Sequence, residues 1–532
     1  MRLANYPFVL FAFFLLAAVP ASIGTQNYKL SGTLPAFGDV LLTTASLSPD
    51  GQYVVYRADY ETDGAIELYS VPVDGSSPPV RISGLLPEDA LGAFQISPDS
   101  TLVVYQAAQD SSEVFELYSV PITGGVSTKL NGELDDGGDV SIYFAISPDG
   151  NWVVYRADQR FDEVQEIYSV PIEGGTALRL NGNLLPDGDV AEVFHISSDS
   201  SQVAYLHDLA VTGFNEVYSV PISDGTPTRL NDDLVSGGSV QLHQISQDSS
   251  RVVYLADQDT DEVVELYSVP LAGGEVTKLN DSLVNGGDIL IYTVQISPDS
   301  SRVIYRADQD TDEMVELYSV PLAGGAVTKL NGALVFGGDI GSGIISPDSS
   351  WVIYVADQQA DEVFELYRVP LAGGSVTKLN DPLVNGGDVG SSFISSDSQW
   401  VVYEADQEVD EAVELYSVPL AGGETIKLNS PLVNNGKVWS HRISPDANWV
   451  VYVADQDTDE TRELYLVSII GGEITKLNGP LVSGGNVSSF PYFISSDSSL
   501  VVYQADQETD NVTELFVTLL GVNTIYLPII TR

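Results

Sequence analysis

The chain has 532 residues, with 75 acidic against 22 basic side chains, a formal charge of −53, and no cysteine. Such a charge argues against nucleic acid and anionic lipid as partners, since both are polyanions, and favours cationic ones such as metal ions or basic protein surfaces. Without cysteine there is no disulfide, no thiol chemistry and no lipobox for a lipid anchor.

The N-terminus reads as a signal peptide over residues 1–21. Arg2 gives a short positive region, FVLFAFFLLAAVP (8–20) is an apolar run, and Val19-Pro20-Ala21 offers small residues at a cleavage site. The apolar run is short for a bilayer span, and nothing later in the chain is a candidate. The mature chain, 22–532, is therefore expected to be exported (periplasmic, cell-surface or secreted), with no transmembrane segment after cleavage.

From there the chain repeats itself. A Ser-Pro-Asp tripeptide or its variant places an Asp at 50, 99, 149, 199, 248, 299, 348, 397, 446 and 497, in steps of 49–51 residues with no linker. In the unit 290–338, the runs IYTVQIS, SRVIYRA, VELYSVP and AVTKLN are rich in β-branched and aromatic residues. Turn formers separate them: Pro298-Asp299-Ser300, an Asp-rich segment, and Ala323-Gly324-Gly325. Four short strands per unit, joined as a meander, predict an all-β fold: a β-propeller of about ten four-stranded blades. Even spacing favours one continuous ring; two smaller rings are the alternative. NYKLSG (27–32) resembles the fourth-strand motif TKLNG, and the chain ends in NTIYLPII (523–530), so either segment could pair across the seam between the first and last blades.

Phrases such as ISPDGNWVVYRADQRFDEVQEIYSVPIEGGTALRLNG (146–182) resemble the PD40, or TolB-like, WD40-type propeller repeat. That pattern is a SPDG turn, an apolar strand, a polar hairpin, an acidic-Leu/Ile-Tyr strand, a Gly-Gly turn and a closing Leu-Thr, here Leu-Asn. The resemblance covers about residues 27–528 and implies the fold more than any activity. The α/β domain that precedes the TolB propeller and the hydrolase domain that follows the propeller in prolyl oligopeptidases are both missing. The long connectors, of the LNGPLVSGGNV type, and the Asp-rich hairpins are where such a scaffold would carry recognition.

Comparing the ten copies separates blade-building residues from the rest. The turn Asp, the second-strand Tyr (for example Tyr305 and Tyr354) and the Glu before Leu-Tyr (for example Glu316 and Glu365) occur in every copy. All three are read as structural, with the Glu expected to bond to a neighbouring blade. The Asp-rich hairpins hold alternating carboxylates at Asp257, Asp259, Asp261; at Asp308, Asp310, Asp312; and at Asp455, Asp457, Asp459. Hard oxygens at that spacing are candidate calcium ligands. They do not form an EF-hand, because Glu occupies position 6 and no Glu stands at position 12; a plain polar hairpin is the competing reading.

The first strands are expected to line the channel. Two residues before the turn Ser, the copies vary: His195, Gln244, Gln295 and Arg442 are among them, and His243 and His441 lie one residue earlier. These six are the candidate ligand-binding residues of an asymmetric channel pocket; satisfied, half-buried polar residues are the blander alternative.

No catalytic residue is assigned, for there is no GxSxG, HExxH or phosphate-loop motif. Oligogalacturonate lyases look similar in their repeats and hold a metal with His and Gln, which His195, His243, His441 and Gln244 could imitate. The functional expectation is a non-catalytic binding scaffold for a protein or an extracellular polysaccharide, its loops stiffened by calcium. A propeller-type polysaccharide lyase or hydrolase with a His/Gln channel site is the alternative.

Overall fold

The second strands bury apolar side chains on both faces, as in Trp351–Ala356, where residues 352–356 are all buried. A strand with no polar face belongs to a sheet covered on both sides. In a computed structural model each repeat is accordingly a four-stranded antiparallel blade with its strands in chain order. The structure describes residues 23–522, except 35–37, 42–44, 61–63, 112, 185–187, 209–213 and 434–435. The expected signal peptide and NTIYLPII (523–530) lie outside the described residues.

Ten apolar clusters hold the blades together, each shared by two neighbours. Ile304 and Leu317 of blade six meet Val352, Tyr354, Tyr367 and Val369 of blade seven. Between blades five and six, where two smaller rings would part, Leu255 and Leu266 pack against Val303, Tyr305 and Tyr318. Leu515 and Val517 of blade ten pack against Val54, Tyr56 and Tyr69 of blade one. The ten blades therefore form one ring.

The ring is closed by the chain's beginning. Ile23–Lys29 pairs antiparallel with Glu514–Val522 as the fourth strand of the last blade. The likeness of NYKLSG to TKLNG is thus structural: Leu30 is buried where Leu130 is in blade two. The Ser31 hydroxyl accepts the Leu515 N–H at 3.1 Å, the role the Asn131 side chain plays for Leu117.

On one rim lie the turns between first and second strands. The Ser297 hydroxyl donates to Asp299 Oδ1 at 2.6 Å, and the same oxygen accepts the Ser301 N–H at 3.0 Å. The next residue is Ser in seven blades, held at φ between +57° and +62°. A left-handed Ser is costly, yet its hydroxyl accepts the N–H of the preceding blade's turn Asp, as Ser398 does for Asp348 at 3.0 Å. Blade nine has Ala447 there, at φ +59°, bearing the same strain with no hydroxyl. Ala447→Ser is expected to stabilise the protein by about 1 kcal/mol through a new bond from the Asp397 N–H. An unchanged melting temperature would show that this bond between blades contributes nothing.

The repeated Glu finds its partners within its own blade, not in the neighbouring one as the sequence suggested. Glu316 Oε2 accepts the Tyr318 hydroxyl at 3.0 Å and the Lys329 ammonium at 2.7 Å. Lys329 sits opposite Tyr318 in the ladder between third and fourth strands. Register therefore carries the cation back over a carboxylate 13 residues away. At the seam the same pairing joins Glu514 to Lys29 of the N-terminal strand.

Candidate functional site

Neighbouring blades approach one another along their first strands, which line the channel. Successive residues of a strand point to opposite faces. The residue two before the turn Ser therefore faces the following blade, and the residue three before faces the preceding one. Across each interface these two positions meet.

The structure brings His195 of blade four and His243 of blade five together in this way, their rings edge to face at 4.8 Å. His243 is fully buried, and its Nε2–H donates to the Ala204 carbonyl at 3.1 Å. Burial, aided by the neighbouring His195, pulls the His243 imidazole down to about 3; burial also lowers His195. Gln244 donates to the Val294 carbonyl at 3.0 Å, just before the next blade's first strand, and Gln295 to the Gly343 carbonyl at 2.6 Å on the first strand of blade seven. These glutamines clasp adjacent inner strands.

His441 and Arg442, on Val438–Ile443 of blade nine, stand apart from the two other candidate histidines. His441 lies edge to face with Phe393 of blade eight at 5.0 Å. Its Nδ1 is 2.7 Å from Glu404 Oε1, which sets Nδ1 as the protonated donor to that carboxylate. Its Nε2 is buried without a hydrogen-bond partner among the described residues. The Arg442 guanidinium lies 5.5 Å from the Phe490 ring and 5.6 Å from the Tyr492 ring of blade ten. Together with Phe393 and Phe490, His441 and Arg442 line a cavity of about 380 Å³ in the channel wall across blades eight to ten. Both phenylalanines are 48 % exposed, and with the Arg442 guanidinium they give this cavity an apolar lining with one cation. An exposed cation over an aromatic ring between apolar walls suits a ligand with an anionic group on an apolar body.

The Asp-rich hairpins lie on the opposite rim from the Ser-Pro-Asp turns, and each divides its carboxylates among separate tasks. Asp308 Oδ1 accepts the Asp288 N–H of the incoming connector at 2.7 Å, and its Oδ2 accepts the Glu313 N–H at 3.1 Å. Asp310 pairs with Lys329 at 2.8 Å. Asp312 lies against Gly286, whose φ of +93° and lack of a side chain make room for it. Asp257, Asp259 and Asp261 repeat this arrangement with the Ser239 N–H, Lys278 and Gly237. Asp455 accepts the Lys437 N–H, Asp457 pairs with Lys476, and Asp459 faces a rim cavity. No group of three such ligands converges among the described residues. The hairpins, as placed, join each connector to the blade it enters.

Sequence reasoning missed Glu404, Phe490 and the rim residues Lys437, Trp439 and Arg462. Comparing copies at positions 437 and 462 would have found two of them, since each carries a cation where the other units mostly have an acidic or neutral residue.

No model of a known protein family matches the chain, and no curated protein does. Among solved structures it is similar to a eukaryotic initiation factor, at 11 % identity and a TM-score of 0.49, covering 80 % of this chain and 95 % of that one. It is also similar to a putative TolB from Agrobacterium tumefaciens, at 21 % identity and a TM-score of 0.28, covering 49 % and 90 %. A third is an oligogalacturonate lyase solved with manganese, at 15 % identity and a TM-score of 0.34, covering 61 % and 88 %. Likeness at these identities concerns the fold, and no residue's role is taken from it.

Proposed function

We propose that the protein is an exported, non-catalytic binding scaffold for a protein or an extracellular polymer, with its ligand contact in the channel wall of blades eight to ten. One observation carries this reading: the exposed Phe393, Phe490 and Arg442 share one cavity where the repeat is broken. Export is supported by the features of residues 1–21. No helix among the described residues is long and apolar enough to cross a membrane.

The test is direct binding of the purified protein to fractionated envelope polysaccharides and envelope proteins of its source cells. Saturable binding is expected, weakened about tenfold in Arg442→Ala and Phe490→Ala at unchanged melting temperature. Wild-type and variant proteins binding alike would remove the cavity from the proposal. A second reading rests on the Glu404–His441 pair, since an imidazole oriented by a carboxylate is the form a general base takes. Shortening of a bound polymer that is lost in His441→Gln would move the protein into the enzyme class.

A further inference from the structure

We propose a second, separate site on the Asp-hairpin rim of blade nine, formed by Lys437, Trp439 and Arg462, that binds a small amino-acid-like zwitterion. The ligand's carboxylate would lie at the two cations and its ammonium toward Asp459 and Glu460.

Lys437 gives up a bond that its sister copies make. The connector position occupied by Lys437 is usually Asp, whose carboxylate accepts a backbone N–H of the preceding blade. Asp339 takes the Val315 N–H at 2.9 Å, and Asp388 takes the Phe364 N–H at 2.8 Å. Lys437 keeps the other half of the clasp, its own N–H donating to Asp455 at 2.6 Å, but its side chain cannot accept from Val413. A repeat that abandons a bond its sister copies make is a candidate for function rather than construction.

The two cations converge. Arg462 stands just before Glu-Leu-Tyr, where the other nine copies are uncharged. Although 25 residues separate it from Lys437, both cations reach one indole: Lys437 Nζ is 4.1 Å and Arg462 Cζ 5.4 Å from the Trp439 ring centre. Trp439 is 40 % exposed, and the other four tryptophans all open second strands. In a chain with 75 acidic side chains, Lys437 and Arg462 form no ion pair among the described residues. The Arg462 Nε–H is buried without a partner.

The cavity's own charges set the ligand's charge. The cavity holds about 530 Å³ and is lined by Asp459 and Glu460 as well as by the cations. A polyanion would be repelled by the chain's net charge of −53. A simple anion meets carboxylates in the same lining, and a simple cation meets Lys437 and Arg462. A compact molecule bearing both charges matches both sets of groups.

Calorimetry of the purified protein with glycine, L-alanine and L-leucine tests this, with acetate and methylammonium as the two half-ligands. At least one amino acid is expected to bind saturably at millimolar concentration or below, and either half-ligand about tenfold more weakly. Lys437→Asp and Arg462→Val, which restore residues found in sister copies, should each weaken binding by about tenfold or more. Because Lys437→Asp also regains the Val413 bond, its melting temperature should not fall. Arg442→Ala, in the channel cavity, should leave this binding unchanged, so the two sites fail or stand independently. Acetate binding as tightly as the amino acids, no binding by any of the three, or binding unaffected in both variants would each overturn the proposal.

Discussion

A chain beginning at Gly32 is expected to melt roughly 5–10 °C below the full protein and to associate with itself. The strand it lacks does more than complete a sheet. The Leu30 N–H donates to the Leu515 carbonyl at 2.8 Å, and its side chain is buried in the seam cluster. The Asn27 side chain donates to the Leu477 carbonyl of blade nine at 3.2 Å, and the Tyr28 hydroxyl to the Val73 carbonyl of blade one at 2.6 Å. Residues 23–31 thus tie three blades. Burying one leucine contributes about 2 kcal/mol and each hydrogen bond about 1 kcal/mol, giving on the order of 5 kcal/mol after ordering costs. Glu514–Val522 would become an open edge able to pair with another chain. A synthetic peptide of residues 22–31 should restore the melting temperature. If the shortened chain melts as the full one does, the ring does not depend on this closure.

Acidification from pH 7 to pH 5 is expected to cost the protein about 2 kcal/mol through His243 alone. The folded state keeps this imidazole neutral, with a pKa lowered to about 3 by burial and by His195 beside it. The unfolded chain takes up a proton as pH falls through about 6.5, so unfolding is favoured from there down to the folded value. His195, also lowered by burial, acts in the same direction. Replacing His243 with Leu removes the titrating group and roughly fills its space. Denaturant midpoints at pH 7 and pH 5 should differ less for His243→Leu than for the wild type. Parallel profiles would mean that water reaches the ring and His243 titrates normally.

The channel pocket was half legible. The varying positions on the first strands pointed to the residues that matter, but not to how they combine. His195 and His243 met because one residue faces forward and the other back, whereas His441 lies several blades away and found Glu404 and Phe393 instead. Which strand faces differ can be read along a chain; which blades touch, and what remains open between them, cannot. The Asp triads show the same limit. Their spacing resembles a ligand set, yet the backbone N–H that takes Asp308 comes from the connector 20 residues earlier.

By itself, then, the sequence determined the repeat and the four strands of each blade, and it narrowed the ring to one or two and the seam strand to two segments; the structure chose one ring and the N-terminal strand. The repeat and its strands follow from local patterns: apolar runs and turn residues recurring at a fixed spacing. The tertiary structure alone decided the partner of the repeated Glu, the separate duties of the Asp carboxylates and the two cavities of blades eight to ten. Those depend on side chains from different strands and connectors meeting across the stacked blades, and that proximity exists only once the ring has closed.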